Sequence, residues 1–199
     1  LWQRQRLAVA LGVGWSLPSR SHFKALDQWA TGTAEGEGPG WLARALDQRG
    51  IHGPAVGLSP GGSAAHEGGN ALALRLIGSG RCPPVLQLAH PGYDTHVNQL
   101  RRHAGLLRQL AAALVAFDAG LRQMPRRPQV TLLAVSEFGR RLRENGSRGT
   151  DHGSASVALL YGDHAPHPLI GASPSLADLD ERGDLIPSLS PPRLYERVL

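Results

Sequence analysis

Four short apolar runs punctuate the chain: LAVALGVG at residues 7–14, PVLQLA at 84–89, QVTLLAVS at 129–136 and ASVALLYG at 155–162. Runs of this length, bounded by turn residues, predict buried β-strands. Between the second and third, Leu100, Leu107, Leu110, Leu114, Phe117 and Leu121 recur at three- and four-residue spacing. That period predicts an amphipathic helix over residues 97–123. Shorter helices are expected over 21–29 and 41–48, and the Gly/Pro-rich stretches 32–40 and 57–69 read as loops. Residues 144–156, ENGSRGTDHGSAS, have little to bury and also read as a loop, one that carries Asp151 and His152. Apolar runs alternating with helical segments predict a single α/β domain over residues 1–199, with a largely parallel central sheet flanked by helices.

Three polar segments, SLPSRSHF, GYDTH and SEFGR, begin where a predicted strand ends. Open α/β sheets bind ligands outside the carboxyl ends of their strands, so these distant segments are candidates to meet there. The Asp151-His152 segment precedes its strand instead. It joins the others if that strand is antiparallel, or if the loop folds over the same edge.

Charge narrows the field of partners. The net charge of +5 over 199 residues comes almost wholly from arginine, Lys24 being the only lysine. The arginines are scattered or paired, as in Arg101-Arg102, Arg126-Arg127 and Arg140-Arg141, and aromatics are few. Nucleic-acid binding calls for a dense basic stripe with interleaved aromatics, so no nucleic-acid partner is expected. No uninterrupted apolar run approaches the ~20 residues of a membrane span, and none is expected. The lone Cys82 excludes an internal disulfide and a Cys-rich zinc module. A chain that begins at Leu1 rather than Met reads as a piece of a longer protein.

Asp94, His96, Glu137, Asp151 and His152 form a carboxylate and imidazole set of the kind that binds zinc or manganese, with calcium or magnesium as further candidates. In an extended segment Asp94 and His96 fall on one side, because side chains alternate with period two. Each residue also has an ordinary reading. Asp94 suits a helix cap and His96 a first-turn histidine; Glu137 can pair with Arg140 or Arg141; Asp151-His152 suits a solvated turn. Ser21 is the candidate nucleophile, placed after a strand at the start of a helix, where unpaired N–H groups favour an anion. A helix-capping serine fits the same position. His164 and His167 are weaker ligand candidates, and His22, His52, His66, His90 and His103 have no partner that the sequence identifies.

Taken together, SRSHFKALDQWATG, GYDTHVNQ, SEFGRRLRENGSRGTDHG and GDLIPSLSPPRLYERVL resemble a large bacterial family of unassigned activity, family 1501 of the domains of unknown function. The resemblance covers residues 15–32 and 86–199 most closely, and residues 33–84 look shortened. It implies membership of the alkaline phosphatase and sulfatase superfamily, and with it an alkaline-phosphatase-like three-layer sandwich. Because no strand followed by an aspartate precedes Ser21, a truncated version is expected. It also implies a two-metal hydrolase of phosphate or sulfate esters, in which a hydroxyl attacks between two divalent ions. On that pattern Ser21 is the nucleophile, and Arg20 and Arg140 hold a small anionic ester substrate. Asp94, His96 and His152 share one ion, with Asp151 a ligand or an orienting partner of His152. Glu137 takes the second ion, with Phe138 where the superfamily has a histidine. A degenerate member that binds an anion or a partner is the alternative, and an exported location is what the family implies.

Overall fold

The computed structural model describes residues 1–58, 65–126, 128–162 and 168–198. The chain divides into two compact units, Leu1–Gln48 with Gln129–Leu199, and Arg49–Pro128. The first unit opens with β1 (Leu7–Val13), α1 (His22–Thr31) and α2 (Trp41–Gln48). The second contains β2 (Ala55–Leu58), α3 (Ala65–Gly78), β3 (Val85–Leu88) and α4 (Gln99–Arg122). The chain then returns to the first unit through β4 (Leu132–Ala134), β5 (Gly139–Glu144), β6 (Thr150–Gly153), β7 (Ser156–Tyr161), β8 (Leu169–Ile170) and α5 (Pro191–Tyr195).

The main sheet of the first unit has the order β4-β7-β1-β8. β7 runs antiparallel to both of its neighbours, and among the described residues β1 with β8 is the one parallel pair in this sheet. The expected largely parallel central sheet, and the three-layer sandwich built on it, are therefore corrected to a mixed α/β arrangement of small separate sheets. The physical reason lies between β4 and β7. A parallel connection needs a crossover, usually a helix, whereas an antiparallel return needs only a hairpin-scale connection. Here the connection is the hairpin β5–β6, in which Gly139 faces Gly153 and Arg140 faces His152. The segment read as a loop thus contains a strand, and Asp151-His152 lie on it. Its tip is built by Asn145, whose side-chain oxygen accepts from the backbone N–H of Ser147 and of Gly149 while Arg148 takes a left-handed conformation.

Packing follows the strand period. Ala8 and Ala10 are fully buried on β1, and Ala158 and Leu160 on β7. The small side chains of the three alanines let Trp29 of α1 and Leu194 and Tyr195 of α5 close over the sheet. Gly12 (φ 63°) sits in a register shift of β1, and its carbonyl accepts from Ser188 and Leu189, seating the C-terminal segment beside the strand. Tyr195 stacks on Trp41 at 3.9 Å between ring centroids, and its hydroxyl donates to the carbonyl of Trp29 at 2.7 Å. That carbonyl lies in the last turn of α1, where intrahelical partners run out.

In the second unit β2 and β3 pair in parallel, Ala55 opposite Val85, with α3 between them in sequence. The stretch read as a loop over 57–69 ends in a helix, since α3 begins at Ala65; residues 59–64 lie outside the described residues. α3 packs on α4, where Asn70 donates to the carbonyl of Ala113 at 2.9 Å and Leu74 crowds Gly120. By length and composition alone α4 is long and apolar enough to cross a membrane. Its buried Asp118, ion-paired with Arg122 at 3.0 Å, breaks the apolar run.

Burial raises the Tyr195 phenol well above its ordinary value. The folded state therefore favours the protonated phenol, and its contribution is complete below about pH 10 and is lost as pH rises beyond that. Tyr195→Phe leaves the Trp29 carbonyl without this donor and is expected to cost about 1–2 kcal/mol. Urea unfolding at pH 7 and pH 10.5 checks both points: the variant is less stable at pH 7, and its deficit narrows at the higher pH.

Candidate metal centre

Because β7 is antiparallel to both β1 and β4, those two strands run in the same direction on either side of it. Their carboxyl ends and the start of β7 consequently lie at one sheet edge. The end of β1 delivers residues 14–21 and then α1; the end of β4 delivers Ser136, Glu137 and Phe138; the start of β7 is fed by β6 and His152. The antiparallel condition under which the Asp-His segment joins SLPSRSHF and SEFGR is the one the chain meets.

His22, the first residue of α1, presents Nδ1 at 2.7 Å from Oε1 of Glu137. A carboxylate only accepts, so the ring carries its proton on Nδ1. His152 places its own Nδ1 3.0 Å from the backbone carbonyl of Arg20, another acceptor. In the neutral form of each ring the lone pair is then on Nε2, the arrangement by which acceptors around a metal site fix ligating imidazoles. The two rings meet edge to face with centroids 4.9 Å apart, and a ring nitrogen of each lies within 4.8 Å of one on the other. Phe138 is buried against both, 4.1 Å from the His152 ring and 5.0 Å from that of His22. The indole N–H of Trp29 donates to the carbonyl of Glu137 at 2.9 Å, which fixes that backbone to α1.

Ser21 occupies the N-cap of α1, exposed, and its hydroxyl makes no capping hydrogen bond. The capping role is therefore not the one this side chain plays. Arg20 is committed elsewhere: its Nη2 lies 2.6 Å from Oδ2 of Asp184, a fully buried carboxylate. Arg141 approaches the other oxygen with Nε at 3.1 Å, an ion pair without hydrogen-bond alignment. Arg140 donates to the carbonyl of Thr150 across the hairpin at 2.8 Å. Asp151 is exposed and accepts from the Asn145 side-chain amide at 3.1 Å. Consecutive strand side chains point to opposite faces, so Asp151 is on the other side of β6 from His152.

The second unit holds Asp94 and His96, whose Oδ1 and Nε2 are 2.8 Å apart. Thr95 between them is buried, so the acid and the imidazole do fall on one side of the segment. Neither residue is in a helix: α4 starts at Gln99, and its cap position is Asn98. His164 and His167 lie outside the described residues, as does the side chain of His66.

Glu137 and His152, assigned to separate ions on the sequence, share His22 as a common neighbour. His22 and Asp184 are the members of this region that the sequence reading missed, and Phe138, noted there only as standing in place of a histidine, packs on both imidazoles. The available signal for His22 was its place at the first helical position after a strand end, next to Ser21.

A family model described as "Protein of unknown function (DUF1501)" matches residues 43–183 of the chain. Comparison with curated proteins and with solved structures found no match.

The hairpin bearing His152 is seated on the sheet by glycine. A Cβ at Gly139 would collide with the backbone carbonyl of Ala155, whereas one at Gly146, near the hairpin tip, meets nothing within 4 Å. Backbone cannot yield as a flexible side chain does, so Gly139→Ala is expected to cost about 2–3 kcal/mol. Gly146→Ala is expected to fall within about 0.5 kcal/mol of the parent. Thermal unfolding of the two variants tests the seating; equal shifts speak against it.

Proposed function

We propose that this chain, which belongs to the DUF1501 family of proteins of unknown function, is a metal-dependent hydrolase of phosphate or sulfate esters on the pattern of the alkaline phosphatase and sulfatase superfamily. The observation that carries the reading is the imidazole pair His22 and His152, each ring turned by an acceptor on Nδ1 so that Nε2 serves as ligand. Two imidazoles with carboxylate support are a donor set suited to zinc or manganese. The metal, when bound, would lower the pKa of a hydroxyl nucleophile and stabilise charge on the ester oxygens.

The residues divide the work. Glu137 keeps His22 in its Nδ1–H tautomer, and the Arg20 carbonyl does the same for His152. Phe138 packs against both rings and restricts their orientation. Ser21, one residue before His22 and at the positive end of a ten-residue helix, is the nucleophile. Arg20 is reassigned from substrate contact to structure, because Asp184 already takes its guanidinium. Arg140 keeps the substrate-binding role inferred from the resemblance. Asp94 and His96 remain ligand candidates on their chemistry: a carboxylate and an imidazole on one side of a buried threonine.

One observation favours a second reading, an anion- or partner-binding member without turnover. Phe138, packed on both imidazoles, stands where the superfamily pattern has a histidine, which leaves the donor set with one imidazole fewer.

Metal analysis and ester hydrolysis decide between them. The purified protein is expected to carry zinc or manganese at about 1–2 equivalents and to hydrolyse p-nitrophenyl phosphate or sulfate. His22→Ala and His152→Ala should lose both metal and activity; Ser21→Ala should keep the metal and lose activity. Asp94→Asn and His96→Ala, scored for metal content, show whether those donors bind an ion at all. Hydrolysis that survives chelation, or is unchanged in His152→Ala, refutes the metal-dependent hydrolase proposed; bound metal without turnover of any ester supports the second reading.

A further inference from the structure

We propose that Asp184 is a positioning residue for His152, acting through Arg20. The inference deepens the metal-site reading, since it concerns the group that holds one of its ligands, and it rests on that reading for its functional consequence.

The path has two short links. The Asp184 carboxylate holds the Arg20 guanidinium at 2.6 Å, and the Arg20 backbone carbonyl accepts the Nδ1 proton of His152 at 3.0 Å. What makes the first link matter is that it is the short, charged one among the ties of this segment. Leu17, Arg20 and Ser21 are all exposed, and no helix or strand includes this approach to α1. Its other ties are the backbone N–H of Ser19 to Oε1 of Gln28, a long contact at 3.4 Å, and the backbone N–H of Ser21 to the Ser19 hydroxyl at 3.2 Å, which is local to the segment. The Arg20 side chain is therefore the link that ties this segment, and the carbonyl it carries, to the buried Asp184 carboxylate.

Asp184 is well made for the task. It is fully buried, and a buried carboxylate is strongly unfavourable unless paired, so it holds its cations. Its backbone is itself fixed: the Asp184 N–H donates to the side chain of Asp180 at 2.7 Å, and its carbonyl accepts from the Asp180 N–H at 2.9 Å. Arg141 Nε, 3.1 Å from the second oxygen, supplies the remaining positive charge. The arginine pair thus differs in kind: Arg20 passes the restraint to the imidazole through its own carbonyl, while Arg141 balances charge.

The test reads the imidazole directly. In metal-stripped protein, nitrogen-resolved NMR of the histidine side chains reports the His152 tautomer, and zinc titration by calorimetry reports affinity. Wild type is expected to show His152 with its proton on Nδ1. Arg20→Ala, at an exposed side chain, and Asp184→Asn should both give mixed tautomers and weaken zinc by about tenfold or more. Arg20→Lys should restore much of the wild-type tautomer. Arg141→Met should leave the tautomer unchanged even if it lowers the melting temperature. If Asp184→Asn does not fold, the comparison of Arg20→Ala with Arg141→Met decides alone. An unchanged tautomer in Arg20→Ala, or an equal shift in Arg141→Met, overturns the proposal. A tautomer shift on Arg20→Ala, in a protein whose wild type binds neither zinc nor manganese, upholds the positioning and refutes the metal site.

Discussion

The antiparallel ladder of β7 against β1 and β4 determines where every group of the candidate site lies in the first unit. Tyr161 is the common partner of Leu7 and Leu132, so the two outer strands are registered against one another through a third. A slip of one residue on either side would turn the buried alanines outward and the polar positions inward, which fixes the register tightly. Strand ends that would be far apart in a loose arrangement are held at one level. The hairpin β5–β6 then has only to span from the end of β4 to the start of β7, and in doing so it sets His152 beside His22. The site is in this sense a by-product of strand direction.

Arginine, which dominates the charge of the chain, is used internally near this edge. Arg20 and Arg141 neutralise one buried carboxylate, and Arg140 braces the hairpin. Guanidinium groups suit such positions because they satisfy planar acceptors with several donors at fixed angles. The resulting edge presents imidazoles and a hydroxyl toward solvent, with an aromatic wall behind them. That composition favours an ion or an electrophile held by nitrogen over a diffuse electrostatic attraction for polyanions.

Much of this was legible in the sequence because the signals were local. The period of Leu100 to Leu121 marks α4, and LAVALGVG and ASVALLYG mark β1 and β7 by their apolar density. Strand direction was not legible, since an apolar run looks the same whichever way it points. Parallel pairing was inferred from alternation with helices, and the inference failed where GRRLRENGSRGTDHG forms a hairpin of mostly polar residues. Such strands have no buried face to announce them; backbone pairing and the Asn145 turn carry them instead. α3 was obscured by Gly68 and Gly69, and its packing on α4 overrides the weak propensity of AHEGGN. At the site, Ser21, Glu137 and His152 were picked out by residue type. His22 was passed over because its partner, Glu137, is 115 positions away. Asp184 looked like one more acid in LDERGDL, and nothing local distinguishes a buried carboxylate from its solvated neighbours.

Trp29 joins two parts of the first unit. Its carbonyl receives the hydroxyl of Tyr195, and its indole N–H reaches the carbonyl of Glu137, the residue that holds His22. An indole hydrogen-bonded in this way is sensitive in its emission to any displacement of the acceptor. The chain therefore contains an optical gauge one residue removed from the imidazole, placed where a change at the sheet edge and a shift of the C-terminal helix would both register.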